Sequence, residues 1–228
     1  YENNKSMSAA IRESITETFG FEPILINSAL VSAQNRQRLY WCGIRQADGT
    51  YKKADIQQPA DRGILLKDIL ETNAQFNVMK KELESVENKD AGVVGILDMA
   101  GQEQIKRVYG TNGKCATLTT CQGGHREPKV FERIADHVCV AQRGRYDENS
   151  NAPIYEVKDG YITVKGNKYP IKLVDGFYII RKLTVRECMR LQTVPEWYEW
   201  PVSKSQAYKM LGNGWTVEVI AHLLRGLK

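Results

Sequence analysis

The stretch TVRECMRLQ, residues 184–192, lies where a strand-rich region gives way to helices. Thr184 can cap a helix N-terminus, and Glu187 three residues later completes the capping-box pattern, which predicts a helix through Leu191. A second helix is predicted over 203–211. The last helix is predicted by an apolar stripe at helical spacing, which consists of Ile220, Leu223, Leu224 and Leu227.

Upstream of this stretch, the chain begins with a helix and two short strands. Apolar residues four positions apart predict an amphipathic helix over Met7–Phe19, which Gly20 can end. Two apolar runs, Pro23–Leu30 and Arg38–Ile44, predict strands of a well-buried sheet. The polar segment Gln34–Gln37 is expected to link them.

The middle of the chain reads as an irregular β-rich lobe. Leu65–Glu71 is expected to form a short helix, and glycine-containing turns then separate strand-like segments from about Val93 to Tyr178. The order of elements predicts an α/β domain with a lobe inserted into it. We expect four parts: a catalytic α/β part (1–48), a connecting segment (49–92), the lobe (93–180) and helices that return to the catalytic domain (181–228).

Composition limits the class of protein. Hydrophobic residues make up 42% of the 228 residues and charged residues 26%, which is typical of a soluble globular chain with a core. No apolar run reaches the roughly 18 residues that a membrane helix needs, and the N-terminus lacks a signal-peptide pattern. Membrane insertion and secretion are therefore not expected.

The five cysteines predict reduced thiols, because they are odd in number and far apart in the sequence. Cys188 is expected to be an interior thiol. We expect no metal site, since one set of thiols and imidazoles fits no paired-ligand spacing: Cys115, Cys121, His125, His137 and Cys139.

The positive charge is concentrated in one window. Lys106–Arg145 contains eight basic and three acidic residues, so it accounts for the whole formal net charge of +5. Basic residues among Gly and Thr predict a phosphate-facing surface, since backbone amides and cationic side chains both donate to anions. A solvated face with no ligand is the alternative interpretation.

Four segments in a fixed order resemble the second half of the C5-cytosine DNA methyltransferases: Glu2-Asn3-Asn4, QNRQR (34–38), RECMRLQ (186–192) and SQAYKMLGNG (205–214). The resemblance covers the chain from end to end, with the basic lobe between the second and third segments. It implies the C-terminal part of a Rossmann-like methyltransferase domain that uses S-adenosyl-L-methionine. The inserted lobe would then recognise a target sequence in duplex DNA.

The resemblance also implies catalytic roles for Glu2, Arg36 and Arg38. Methylation at carbon 5 needs a cytosine taken out of the duplex and a thiolate that adds at carbon 6. Glu2 matches the carboxyl group that activates the ring at N3 and the exocyclic amine. Arg38 would donate to the carbonyl at carbon 2, with Arg36 beside it and Gln34 on the DNA side. Without the resemblance, surface ion pairs and a frayed terminus are the alternative.

Asn213, Gly214 and Trp215 are implied to contact the cofactor. Backbone amides at the start of the last helix could receive its methionine carboxylate. The family usually has Ser where Gly214 stands, so a hydroxyl contact is lost but the backbone amide remains. Trp215 could pack against the cofactor or belong to the core.

A threonine- and glycine-rich stretch in the basic window resembles the part of the lobe that lies against the major groove. Hydroxyl and amide groups can read base edges there, and glycines let the backbone approach phosphate. An ordinary hairpin is the alternative for the threonines. The expected DNA-binding residues are Gln34, Arg107, Lys114, Thr117, Thr119, Thr120, Gln122, Gly123, Gly124, Arg126 and Lys129.

Two parts of the family pattern are absent from this sequence. None of its seven prolines is followed by cysteine, so the family's nucleophilic Pro-Cys loop is missing, and so is the Gly-rich cofactor turn. We expect the chain to be inactive alone and to need the missing N-terminal half of the enzyme as its partner. That half would be in the same polypeptide, which Tyr1 at the start favours, or in a separate subunit.

Other functions stay open at this point. A non-catalytic DNA-binding module and, less favoured, a methyltransferase acting on a flipped base in RNA are the alternatives. The expected location is the cytoplasm of a bacterium or a phage-infected cell.

Overall fold

The structure, a computed structural model, describes residues 1–72, 77–87, 92–121, 126–135 and 152–227. Its N-terminal part contains one helix and four strands: β1 Glu2–Asn4, α1 Ala9–Phe19, β2 Ile24–Asn27, β3 Gln34–Asn35 and β4 Gln37–Tyr40. The strands β1, β4 and β2 form an antiparallel sheet in that order, whereas β3 pairs elsewhere.

Helix α1 confirms the helix predicted from apolar spacing, but it begins at Ala9 and none of its residues is buried; Ile11 of the predicted apolar face is 51% exposed. The Ser8 side chain accepts a hydrogen bond from the Ile11 N–H and so begins the helix. Gly20 ends it with a φ of 76°, a left-handed conformation that costs glycine little.

The two expected N-terminal strands are shorter than the sequence predicts. The first ends at Asn27, because the Asn27 side chain accepts from the Ala29 N–H and begins a 3-10 turn. The second is divided into β4 and a separate hairpin of β5, Gly43–Arg45, with β6, Tyr51–Lys53. The segment expected as a polar link is itself extended, since β3 pairs in parallel with β10, Cys115–Ala116. Long-range pairing therefore overrides the local polar pattern.

An eight-stranded mixed sheet forms the β-rich lobe. Its strands are β7 Leu83–Val86, β8 Val93–Leu97, β9 Arg107–Gly110, β11 Lys129–Ala135, β12 Tyr155–Lys158, β13 Tyr161–Val164, β14 Asn167–Pro170 and β15 Gly176–Lys182, and the short helix α2, Glu103–Lys106, precedes β9. The strand order is β14-β13-β12-β15-β11-β9-β8-β7. Strands β9 and β11 are parallel, and the other neighbours pair antiparallel. The sheet begins at Leu83, within the segment expected to be a connection.

The C-terminal helices are α3 Val185–Leu191, α4 Lys204–Asn213 and α5 Val217–Arg225. The predicted capping box is present, because the Glu187 N–H donates to Thr184 Oγ1 and the Thr184 N–H donates to Glu187 Oε2. The helix expected over 65–71 is only a 3-10 turn, Leu66–Asp68.

Among the residues that the structure describes, three clusters of buried side chains hold these parts together. One lies within the large sheet, one beneath the small N-terminal sheet and α5, and one joins the lobe to the C-terminal helices. The third contains Ala33, Leu118 and Leu211, so widely separated segments share one core. Burial of this apolar surface fixes the lobe against the N- and C-terminal parts. The α/β fold with an inserted β-rich lobe is confirmed.

The predicted apolar stripe of the last helix is only partly buried. Leu223 is 4% exposed, whereas Leu224 is 62% exposed. Within the described ranges, no helix is both long and apolar enough to span a membrane.

Candidate functional site

Glu2 and Arg38 meet on one face of the small sheet. In the β1–β4 register Glu2 pairs with Tyr40 and Asn4 with Arg38, so Glu2 and Arg38 are diagonal neighbours. Arg38 Nε lies 3.0 Å from Glu2 Oε1. Trp215 reaches the same carboxylate, and its indole N–H donates to Glu2 Oε2 at 3.3 Å. The first and last segments of the chain therefore share one charged site.

Arg36 lies beside this site but points inward. It is 4% exposed, and its guanidinium donates to the carbonyl oxygens of Leu118 and Gly212 at 3.4 Å and of Gly214 at 2.8 Å. Burial, with a smaller contribution from Arg38, lowers the pKa of Arg36 to about 10. These contacts join the lobe to the end of α4, which favours a positioning role for Arg36 over contact with a ring.

Gln34 is also interior, whereas the sequence predicts contact with DNA. It is fully buried; its amide nitrogen donates to the Leu191 carbonyl at 3.1 Å, and its oxygen accepts from the Leu118 N–H at 2.7 Å. The Gln34 amide thus provides hydrogen-bond partners for the Leu191 carbonyl and the Leu118 N–H inside the protein. Its burial does not favour the predicted contact of Gln34 with DNA, which stays a prediction.

Gly212 allows the closest contact between the lobe and the C-terminal helices. A Cβ added at Gly212 would lie 2.1 Å from the Thr119 carbonyl oxygen and 2.6 Å from the Thr120 backbone nitrogen. No side chain fits in that space. The glycine of the Gly-Asn segment is therefore required for docking of the lobe.

The cofactor residues implied by the resemblance are only partly available for a ligand. Asn213 is exposed and Trp215 is 55% exposed. The Gly214 N–H, however, donates to the Met210 carbonyl at 2.8 Å, and the amides of Val217 and Glu218 donate to Gln192 and Thr193. The amides at these three positions are therefore already paired, which does not favour the expected carboxylate site; that site stays a prediction.

A cleft of about 420 Å³ brings several predicted DNA-binding residues together. Thr117, Thr119 and Arg126 line it, together with Arg107, which also forms an ion pair of 2.9 Å with Glu103. Thr119 and Arg126 are exposed. The cleft also contains Asn35 and Gln104, which were not among the predicted DNA-binding residues. Asn35 lies 82 residues before Thr117, so only the fold brings it to the cleft.

Two predicted phosphate contacts are instead internal. Lys129 is 1% exposed and donates to the carbonyls of Ile105 and Glu127 at 2.7 and 3.0 Å. Burial lowers the pKa of Lys129 to about 8. Lys114 is half-buried and donates to the carbonyls of Ala29 and Ser32. Both ammonium groups donate to backbone carbonyls. These positions do not favour the expected contact of Lys114 and Lys129 with phosphate.

Four predicted DNA-binding residues remain, of which the structure describes only Thr120. Thr120 is half-buried beside Gly212. Gln122, Gly123 and Gly124 lie outside the described residues.

The described thiols are poor nucleophiles. Burial raises the pKa of Cys42, Cys121 and Cys188, and raises that of Cys115 to about 12. A thiol with a raised pKa carries little thiolate at neutral pH. Among the described residues there is also no group of three or more potential metal ligands.

Comparison with known proteins agrees with the geometry. The model of the C-5 cytosine-specific DNA methylase family matches residues 2–228. The chain is similar to an orphan methyltransferase, M.SPBetaI of Bacillus phage SPbeta, with 34% identity over 64% of this chain and 34% of that protein. It is also similar to the type II methyltransferase M.HpaII of Haemophilus parainfluenzae, with 26% identity over 87% of this chain and 48% of that protein. The chain thus spans about a third to a half of the length of these relatives.

Among solved structures, the chain is similar to the methyltransferase EhMeth of Entamoeba histolytica. The TM-score is 0.51 at 14% identity, and the match covers 99% of this chain and 60% of that one. At this identity the likeness concerns the fold alone.

Proposed function

The chain belongs to the C-5 cytosine-specific DNA methylase family, and we propose on that basis that it forms the base-activating and DNA-reading part of a DNA cytosine-5 methyltransferase. The observation that carries the proposal is the Glu2–Arg38 pair. The two residues are 36 positions apart in sequence, yet their side chains lie 3.0 Å apart on one face of the small sheet. The carboxylate can accept from the exocyclic amine of a cytosine, and the guanidinium can donate to its carbonyl oxygen.

Glu2 and Arg38 would activate the ring. As a thiolate forms a bond to carbon 6, negative charge moves to N3 and to the carbonyl at carbon 2. Glu2 would share a proton with N3 and accept from the exocyclic amine, while Arg38 would donate to the carbonyl oxygen. A guanidinium has five N–H donors, so one bonded at Nε to Glu2 and at Nη1 to the Gln37 carbonyl keeps donors for a base.

S-adenosyl-L-methionine would supply the methyl group as a sulfonium. Asn213 and the exposed face of Trp215 are the residues of this chain that could contact it, since the neighbouring amides are already paired. After transfer, loss of the carbon 5 proton and cleavage of the bond between sulfur and carbon 6 would restore the ring.

The nucleophilic thiol would come from outside this chain. The raised pKa of the four described thiols and the absence of a Pro-Cys pair both support this. We therefore propose that a further segment or subunit supplies the thiol and most of the cofactor pocket.

The DNA-reading surface would be the cleft next to β3 and β10. Exposed Arg126 can bind a phosphate, and the Thr119 hydroxyl can hydrogen-bond to a base edge. The Thr117 hydroxyl donates to the Asn35 carbonyl at 2.7 Å and can still accept from a base. The target cytosine must leave the base stack to reach Glu2, because its N3 edge is paired in the duplex.

Transfer of a labelled methyl group to duplex DNA tests the proposal. We expect incorporation at cytosine carbon 5 by the natural protein, a large loss in its Glu2→Gln variant, and none by the 228-residue chain alone. Wild-type incorporation by the Glu2→Gln protein would refute the role of Glu2. DNA binding without methylation in every preparation would favour a non-catalytic binding module.

A further inference from the structure

Both oxygens of the Glu2 carboxylate have a partner. Arg38 Nε lies 3.0 Å from Oε1, and the Trp215 indole N–H donates to Oε2 at 3.3 Å. The two partners come from β4 and from the loop between α4 and α5. Because each oxygen has its own donor, rotation of the carboxylate plane is restricted.

The backbone on either side of Trp215 is fixed by buried contacts. The Gly214 carbonyl accepts from Arg36 at 2.8 Å, and the buried Thr216 hydroxyl donates to Gln192 Oε1 at 2.9 Å. The Thr216 hydroxyl is also 2.8 Å from Ser28 Oγ. The indole is therefore directed towards Glu2 by its neighbours.

Burial does not explain the position of the Trp215 ring. Trp215 is 55% exposed, so much of its apolar surface stays in contact with water. Its one polar group instead meets a carboxylate from the opposite end of the chain. This arrangement uses the indole N–H as a donor, which a purely hydrophobic contact with a cofactor would not require.

We propose that Trp215 is a positioning residue, whose indole N–H holds the Glu2 carboxylate in the plane that meets the cytosine edge. This rests on the proposed function, in which Glu2 activates the base. Each carboxylate oxygen has two lone pairs, so those not used by Arg38 and Trp215 stay available to the exocyclic amine and N3.

The hydrogen bond itself can be tested without activity. The indole N–H signals of the natural protein are recorded by 1H–15N NMR, and loss of one signal in Trp215→Phe assigns it. We expect this signal to lie at a different position in Glu2→Gln, because the indole N–H then faces a neutral amide in place of the carboxylate that it meets at 3.3 Å in the wild type. A Trp215 signal at the same position in wild type and Glu2→Gln would overturn the proposal.

The positioning role is tested by kinetics. Trp215→Phe removes the hydrogen bond to the Glu2 carboxylate. We expect the rate of single-turnover methylation to fall by about 10- to 100-fold, because a hydrogen bond to a charged group is lost, while the KM for S-adenosyl-L-methionine changes little. A raised KM with an unchanged rate would show cofactor packing instead. Trp200→Phe is the matched control, because the buried Trp200 indole nitrogen has no partner among the described residues.

The two proposals fail differently. If Glu2→Gln leaves methylation unchanged, the role of Glu2 is refuted, whatever the NMR result. If Glu2→Gln abolishes methylation and Trp215→Phe has the wild-type rate, only the positioning role of Trp215 is refuted.

Discussion

Replacing Gly212 with alanine should separate the lobe from the C-terminal helices. The added Cβ would lie 2.1 Å from the Thr119 carbonyl oxygen, whereas ordinary contacts begin at 3.4 Å, so the two backbones must move apart by about 1.3 Å. The obstacle is backbone on both sides, so no side-chain rotation can relieve it.

That displacement would disturb a group of buried hydrogen bonds. The Leu118 N–H donates to Gln34 Oε1 at 2.7 Å, and Arg36 donates to the carbonyls of Leu118 and Gly212 at 3.4 Å. A neutral hydrogen bond contributes about 1 kcal/mol and one to a charged group about 1.5–3 kcal/mol. Complete loss of these three bonds would cost about 4–7 kcal/mol; because the displacement weakens them without breaking all of them, we expect Gly212→Ala to lower the free energy of unfolding by about 3–5 kcal/mol.

Thermal unfolding measures this loss. For a chain of this size, about 3–5 kcal/mol corresponds to a fall in Tm of roughly 6–20 °C. Gly214→Ala is the matched control. The φ of Gly214 is −72°, and a Cβ added there would lie 3.1 Å from its nearest neighbour, the Met210 carbonyl oxygen. We expect that control to cost less than about 1 kcal/mol. A Gly212→Ala protein as stable as Gly214→Ala would refute the packing argument.

Four further variants test the site and its surroundings. Arg126→Ala should make the plot of log affinity for duplex DNA against log salt less steep by about 1, and equal slopes for wild type and Arg126→Ala would exclude a phosphate contact. Thr119→Ala should change the preference for DNA sequence more than this slope. Arg38→Ala should lower single-turnover methylation by about 100-fold with little change in DNA affinity, and the opposite pattern would make Arg38 a backbone contact. The wild-type protein should gain roughly 3 kcal/mol in free energy of unfolding as pH rises from 8 to 10.5, and Lys129→Met should lack this gain in urea unfolding. In that pH range the unfolded chain keeps a proton on Lys129 that the folded chain, in which the pKa of Lys129 is about 8, has lost. The same pH dependence in both proteins would contradict the burial of a charged Lys129 ammonium.

Elements set by neighbouring residues were predictable. The Thr184–Glu187 capping box and the end of α1 at Gly20 both depend on contacts within four residues, and the structure has both. The strand expected over 23–30 was too long, because the Asn27 side chain begins a turn. Apolar content predicts a buried strand, but not the residue at which a side chain interrupts it.

The pairing of Glu2 with Arg38 was only partly predictable. The family resemblance assigned both to one site, but their distance depends on the register of β1 against β4. Trp215 was expected near the cofactor, and its bond to Glu2 across 213 residues has no sequence signal.

The sequence by itself determined the order of elements, the family and the residue types available for chemistry. Only the tertiary structure decided which polar side chains are internal. Gln34 and Lys129 look like ligands for DNA in a polar, basic stretch, yet both are buried. The physical reason is that burial of a polar group depends on partners that satisfy it. Gln34 finds its partners 84 and 157 residues away, at Leu118 and Leu191, so no local pattern could reveal them.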